Sequence, residues 1–288
     1  MNGTEHMIGT ETVNTENGTT TVEFLVDGDK LEEIINQAVN SGQEEDPETS
    51  TGKIVELSVK TADADRITAS LTAEMIQTLN ENGFDLFLNT SDADYLIPTG
   101  GINIDQVAEA LGVDSDSLGD IAIEIRIEEA DDEVAQEITR QADALGYSIV
   151  FPPVRFTVTA KVKTDDGSEK EVEISGFNHY VERIMRIPEG VDPAEITTGV
   201  VYNSDGTFSH VPTEIFEQDG VYYARIRSLT NSNYLVIYNP VTVPAVQNHW
   251  SKEIVNDLAS RLIITKPESF MSDEDITRGE FADLITRA

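Results

Sequence analysis

The chain has 288 residues, of which 54 are acidic and 19 are basic, giving a formal net charge of −35. This charge disfavours DNA, RNA and anionic lipid surfaces, which proteins bind mainly through Lys and Arg. The absence of cysteine excludes thiolate catalysis and cysteine-based zinc sites. No apolar run reaches the roughly 18 residues of a membrane-spanning helix, so we expect neither nucleic acid nor membrane as a partner.

The first part of the chain predicts an α+β domain. Residues 1–20 are rich in Thr, Asn and Gly and are predicted to be a flexible lead-in. Strand and helix patterns then follow each other irregularly through residues 21–169, with a hairpin at residues 84–98 and a strongly alternating strand at residues 121–127. Such an order favours an α+β fold over a doubly wound parallel sheet.

The chain becomes almost entirely strand-like from residue 170 onwards. Short alternating segments are separated by turn sequences such as Asn203-Ser-Asp-Gly206, which predicts a β-rich domain over residues 170–240. Residues 241–246, flanked and interrupted by prolines, are predicted to be a stiff linker. The final segment, 241–288, is therefore predicted to combine this linker with a helix–loop–helix.

The first C-terminal helix is predicted from an apolar stripe. Trp250, Ile254, Leu258 and Leu262 recur at every fourth position, which places them on one face of a helix.

The second helix is predicted from its start signals. Thr277 and Glu280 form a capping-box pattern, and Ile276 and Phe281 occupy the two hydrophobic-staple positions. The buried face of this helix is predicted to consist of four residues. They are Phe281, Leu284, Ile285 and Ala288.

Arg278 contradicts the electrostatic preference of a helix N-terminus. It occupies the first helical position, where the helix dipole favours anions. An arginine beside free N–H groups can form an anion-binding corner. The alternative interpretation is a salt bridge between Arg278 and one of the nearby carboxylates of residues 273–275.

Four stretches of the C-terminal segment together resemble one repeat of the S-layer homology (SLH) family. They are Asn248-His-Trp-Ser251, Ile254-Val-Asn-Asp-Leu-Ala259, Ile276-Thr-Arg-Gly-Glu-Phe-Ala282 and Leu284-Ile-Thr-Arg-Ala288. The Gly-Ile-Ile turn of the family is represented here by Leu262-Ile-Ile264, which has no glycine. The region around residues 177–232 also resembles the segment that commonly precedes SLH repeats in Firmicutes surface proteins.

This resemblance implies an exported, extracellular protein that is held on the cell wall or S-layer by a secondary cell-wall polysaccharide. It implies that Arg278, Trp250 and Glu280 bind the polysaccharide, with Arg278 contacting an acidic sugar and Trp250 shaping the core and pocket edge. The expected function is that of a non-catalytic surface protein. Two alternatives remain: a self-associating filament or adhesin subunit, and an accessory region of a wall-bound polysaccharide hydrolase.

No catalytic site is predicted from the residue pattern. The four histidines are scattered and form neither a triad nor a metal-spaced pair. His179 and His210 lie in strand patterns and are predicted to be structural.

Calcium is the one cofactor that the sequence leaves open. Several acidic clusters occur in turn-like segments, and the one at Asp114-Ser-Asp116 superficially resembles a Ca²⁺ loop but does not have EF-hand spacing. Each is interpreted more readily as a solvated turn or a helix cap than as a metal site. The clusters are Asp63/Asp65, Asp92/Asp94, Asp114-Ser-Asp116 and Asp273-Glu-Asp275.

Overall fold

The computed structural model describes residues 8–40, 53–62, 64–164 and 166–288. The fold is α+β, as predicted. The helices are α1 Gly28–Asn40, α2 Ala73–Glu81, α3 Ile104–Leu111, α4 Asp132–Leu145, α5 Lys252–Ser260 and α6 Arg278–Arg287. The strands are β1 Gly9–Glu16, β2 Thr19–Val26, β3 Lys53–Ser58, β4 Arg66–Thr72, β5 Phe84–Asn89, β6 Ala93–Ile97, β7 Ala122–Glu129, β8 Ser148–Lys163, β9 Glu169–Glu173, β10 Gly176–Arg186, β11 Thr198–Tyr202, β12 Phe208–Val211, β13 Thr213–Gln218, β14 Val221–Thr230 and β15 Asn233–Tyr238.

Two compact units share the chain. The first comprises residues 1–129, 155–183 and 228–231, and the second comprises residues 130–154, 184–227 and 232–288. The compact units do not follow the predicted boundaries at residues 169 and 240, because each unit is assembled from separate stretches of sequence. Contacts between segments that are distant in sequence determine which stretches belong to each unit, and local composition does not indicate those contacts.

The first unit contains parts of two mixed sheets. In one sheet the strand order is β1-β2-β4-β7-β8, with β9 pairing to β8, and β3-β5-β6 belong to the other. Strand alternation follows the predicted period of two: Ile123, Ile125 and Ile127 of β7 are all buried, and so are Leu86 and Leu88 of β5.

Residues 9–20 are not a flexible lead-in. Strands β1 and β2 pair in antiparallel register from Gly9↔Val26 to Glu16↔Thr19. Asn17 and Gly18, with φ of 54° and 86°, form the two-residue turn between them. An Asn-Gly pair between strand-like segments is a hairpin signal, which the polar composition of this stretch concealed.

The second unit contains three neighbouring strands of a mixed sheet, in the order β15-β11-β12. Ile138 of α4 packs on this sheet in a core formed with Val200, Leu235 and Ile237. Strands β13 and β14 form an antiparallel hairpin in the same unit.

The C-terminal helices belong to this second unit, and the segment before them is not a free linker. Val243 and Val246 are fully buried against Val255 and Ala259 of α5 and against Ile264. The predicted linker is therefore part of the core of the helix pair, because its valines pack against α5.

Candidate functional site at the C-terminal helix pair

The predicted capping box opens helix α6. The Glu280 N–H donates to Thr277 Oγ1 at 3.2 Å, and the Thr277 N–H donates to Glu280 Oε2 at 2.7 Å. This bond from the Thr277 backbone lowers the pKa of the Glu280 carboxyl below its ordinary value. The Glu280 carboxylate is thus engaged in capping the N-terminus of α6, which is the structural role that the sequence pattern predicts.

Arg278 is the first residue of α6 and is exposed to solvent. Within the described part of the chain its guanidinium forms no ion pair, so the predicted alternative of a salt bridge to residues 273–275 is not realised. Other arginines of the same helix pair do find carboxylates: Arg261 lies 3.0 Å from Asp257, and Arg287 lies 2.9 Å from Asp283. Arg278 therefore carries an uncompensated positive charge at the positive end of the helix dipole.

Trp250 lies just before α5 and is 84% exposed. The resemblance implied that it shapes the core, and this expectation is wrong for the structure described. Its indole is tilted against the His249 ring at a centroid distance of 5.3 Å. His249 Nδ1 lies 2.8 Å from Ser251 Oγ, which holds the imidazole at the start of α5.

Much of the predicted buried face of α6 is also open to solvent. Phe281 and Ile285 are 55% and 61% exposed, and Ala288 is exposed. Leu284 alone of the predicted four packs against the core of the helix pair. Ile276 is 53% exposed, so the proposed staple residues bury little area. The predicted helix is present as α6, but the apolar period does not indicate how much of the apolar face is buried against other residues.

The loop between the helices is attached to the segment that precedes α5. His249 Nε2 lies 3.7 Å from Asp273 Oδ1, and Ser272 Oγ donates a long bond of 3.5 Å to the Ala245 carbonyl. The structure thus brings the neighbourhood of Trp250 and the loop that leads into Arg278 together.

Two aspartates of the acidic clusters considered for calcium accept hydrogen bonds from backbone N–H groups. Asp65 accepts from the Thr20 N–H, and Asp94 Oδ1 accepts from the Thr90 N–H at 2.8 Å. Asp63 lies outside the described residues. Among the residues that are described, no group of three or more His, Asp or Glu side chains is arranged to hold a metal ion.

The two histidines of the strand patterns lie in strands. His179 is in β10, and His210 is in β12. His210 Nδ1 lies 2.8 Å from Thr198 Oγ1. Burial lowers the pKa of His210 to about 4, and the neighbouring charge of Arg261 contributes to this shift.

A buried polar network in the first unit escaped the sequence analysis. Arg183 of β10 is fully buried, and its guanidinium lies 5.1 Å from the ring centroids of both Tyr95 and Phe156. Arg183 Nη2 donates to the Thr230 carbonyl at 2.6 Å and to Asn231 Oδ1 at 3.0 Å. The available signal was the position of Arg183, which falls in the inward register of β10 between Val181 and Met185.

Comparisons with known proteins found no match for the chain. No family model matches it, and neither the curated protein sequences nor the solved structures contain a significant match. No helix within the described residues has the length and apolar character needed to cross a bilayer.

Proposed function

We propose that this chain is a non-catalytic cell-surface protein whose C-terminal helix pair attaches it to the cell wall by binding an acidic secondary polysaccharide. The observation that carries the proposal is the unpaired, exposed guanidinium of Arg278 at the N-terminus of α6. A cation at the positive end of a helix dipole opposes the local electrostatic preference, and residues that break a local rule tend to serve a function.

The surroundings of Arg278 suit an acidic sugar. The capping box occupies the N–H groups of Thr277 and Glu280, so by helix geometry those of Arg278 and Gly279 remain for an anion. A guanidinium binds a carboxylate through two parallel hydrogen bonds. Trp250, exposed on the same helix pair, offers an aromatic surface against which a sugar ring can pack.

The test is binding of the purified chain to cell-wall sacculi at physiological ionic strength, where a Debye length of about 8 Å screens the net charge. Loss of a charge-assisted contact worth about 1.5–3 kcal/mol corresponds to roughly tenfold to hundredfold weaker binding. We therefore expect Arg278→Ala to bind the sacculi roughly tenfold to hundredfold more weakly than the unaltered chain. Arg287→Ala is the matched control, because it removes the same charge from the same helix but from a residue paired with Asp283.

Three results would contradict the proposal. They are no binding by the unaltered chain, equal binding by Arg278→Ala and the unaltered chain, and undiminished binding to sacculi from which the polysaccharide has been removed with hydrofluoric acid. Retained helical circular dichroism in both variants shows that any difference arises at the site.

Self-association is a second candidate function, favoured by the exposed apolar side chains of the helix pair. Ile254, Phe281 and Ile285 are each more than half exposed, and clustered exposed apolar residues are typical of protein–protein contacts. Sedimentation of the chain as a monomer at 100 μM, a concentration chosen as roughly that of a weak contact, would count against this candidate.

A further inference from the structure

Leu262 has a backbone conformation that is unusual for its residue type. Its φ is 63°, and the other described residues with positive φ that are not glycine, Asn17 and Asp219, each precede a glycine in a tight turn. Asn and Asp tolerate the left-handed region, whereas leucine is a genuine outlier there. Glycine is the usual residue at this point after a helix.

The left-handed turn at Leu262 terminates α5. The Leu262 N–H donates to the Ala259 carbonyl at 3.1 Å. The N–H groups of Ile263 and Ile264 both donate to the Leu258 carbonyl, at 2.9 and 3.2 Å. The turn is therefore well bonded, and a glycine would satisfy the same backbone.

The leucine side chain supplies what a glycine lacks. Leu262 packs against the core that Ile138 of α4 forms with β11 and β15. Two residues later, Ile264 is buried in the separate core of the helix pair, with Val243 and Val255. The strained residue thus directs neighbouring side chains into two different cores.

Polar contacts reinforce the same junction. Asn239 Nδ2, at the exit of β15, donates to the Ser260 carbonyl at 2.8 Å. The Val241 N–H donates to Ser260 Oγ, and the Val243 N–H donates to Asn256 Oδ1, both at 2.9 Å. Side chains of α5 therefore bind the backbone of the segment that joins the helix pair to the sheet.

We infer that Leu262 is a latch that fixes the direction of the helix pair relative to the sheet β15-β11-β12. The backbone strain at Leu262 persists because only a side chain larger than glycine fills the sheet core from this position. The first turn of α6 is then presented in one direction, whatever ligand it binds. The inference goes beyond the proposed function and does not depend on it.

Pulsed electron spin resonance tests the latch directly. The chain has no native cysteine, so Ser204→Cys in the β11–β12 turn and Glu253→Cys on α5, both exposed positions, provide one label on each side of the junction. We expect a narrow distance distribution in the labelled chain and in Leu262→Met, which keeps a large apolar side chain. In Leu262→Gly and Leu262→Ala we expect the distribution to be at least twice as wide.

The two small substitutions separate strain from packing. Glycine fits a φ of 63° and removes the strain, whereas alanine retains most of it; both remove the packing. Unchanged widths in both variants would overturn the inference, as would a width in Leu262→Met equal to that in Leu262→Ala. Loss of helical circular dichroism in both small variants would also overturn it, because Leu262 would then be required for the helix pair itself. The spin-label experiment does not measure wall binding, so a negative result would contradict the latch and leave the proposed function untouched.

Discussion

Replacing Asn231 by alanine should destabilise the first unit by about 3–5 kcal/mol. The Asn231 amide is 9% exposed and joins three partners. Its Oδ1 accepts from Arg183 Nη2 at 3.0 Å and from the Tyr95 hydroxyl, and its Nδ2 donates to the Ile174 carbonyl at 3.1 Å. The side chain therefore connects a buried cation, a buried phenol and a backbone carbonyl.

The magnitude follows from what alanine leaves behind. A hydrogen bond to a charged group contributes about 1.5–3 kcal/mol, and each neutral bond contributes about 1 kcal/mol. Arg183 keeps its bond to the Thr230 carbonyl and its two aromatic neighbours, so the loss stays below that of an isolated buried charge. Tyr95→Phe removes one neutral bond from the same network and should cost only about 1 kcal/mol.

Urea unfolding followed by far-ultraviolet circular dichroism measures these losses. With an m-value of about 3 kcal/mol/M, Asn231→Ala should lower the midpoint by about 1–1.7 M. Asn36→Ala, on the exposed face of α1, is the matched control and should change stability by less than about 0.5 kcal/mol. A loss in Asn231→Ala no larger than that in Tyr95→Phe would refute the reasoning, because Arg183 would then not depend on the amide.

Two buried titratable groups should give the stability opposite dependences on pH. Burial raises the pKa of Asp94 to about 6 from an ordinary value of 3.8, so ionised Asp94 costs stability above pH 6 and this cost disappears as the pH falls towards 3.8. Asp94→Asn should therefore be more stable than the parent by up to about 3 kcal/mol at pH 7 and should lose this advantage by pH 4. A difference in urea midpoint between the two proteins that stays constant from pH 7 to pH 4 would contradict the prediction. Burial lowers the pKa of His210 to about 4 from 6.5, so the unfolded chain takes up the proton first and stability is lost as the pH falls from 6.5 to 4. The acid-dependent loss of stability is expected to be on the order of 1–2 kcal/mol after allowing for solvent screening, and His210→Asn should reduce it. If the unfolding free energy of His210→Asn changes with pH between 6.5 and 4 as it does in the parent, His210 does not titrate as described.

Prediction from sequence succeeded where the signal is local. The capping box of Thr277 and Glu280 is present in the structure, and α6 begins at Arg278 as expected. Both features depend on residues within one helical turn, whose geometry is nearly independent of the rest of the chain. The hairpin at residues 9–26 was not predicted although its Asn-Gly turn is equally local, because the polar composition of this stretch resembles that of a flexible terminus.

Prediction from sequence was wrong where burial depends on distant partners. Trp250, Phe281 and Ile285 are predicted to lie on apolar helical stripes, yet each is more than half exposed. Val243 and Val246, interpreted as linker residues, are fully buried. A hydrophobic period reports which face of an element is apolar, but the area that this face buries depends on what packs against it.

The sequence by itself determined the α+β class, the strand alternation and the start of α6, because each follows from backbone periods and hydrogen bonds spanning a few residues. Only the tertiary structure decided that Arg183 is buried beside Asn231, 48 residues away, and that Leu262 adopts a positive φ. Both residues oppose their own intrinsic preference, for water in one case and for negative φ in the other. They are held there by packing and bonds from residues distant in sequence, and no window along the chain contains those interactions.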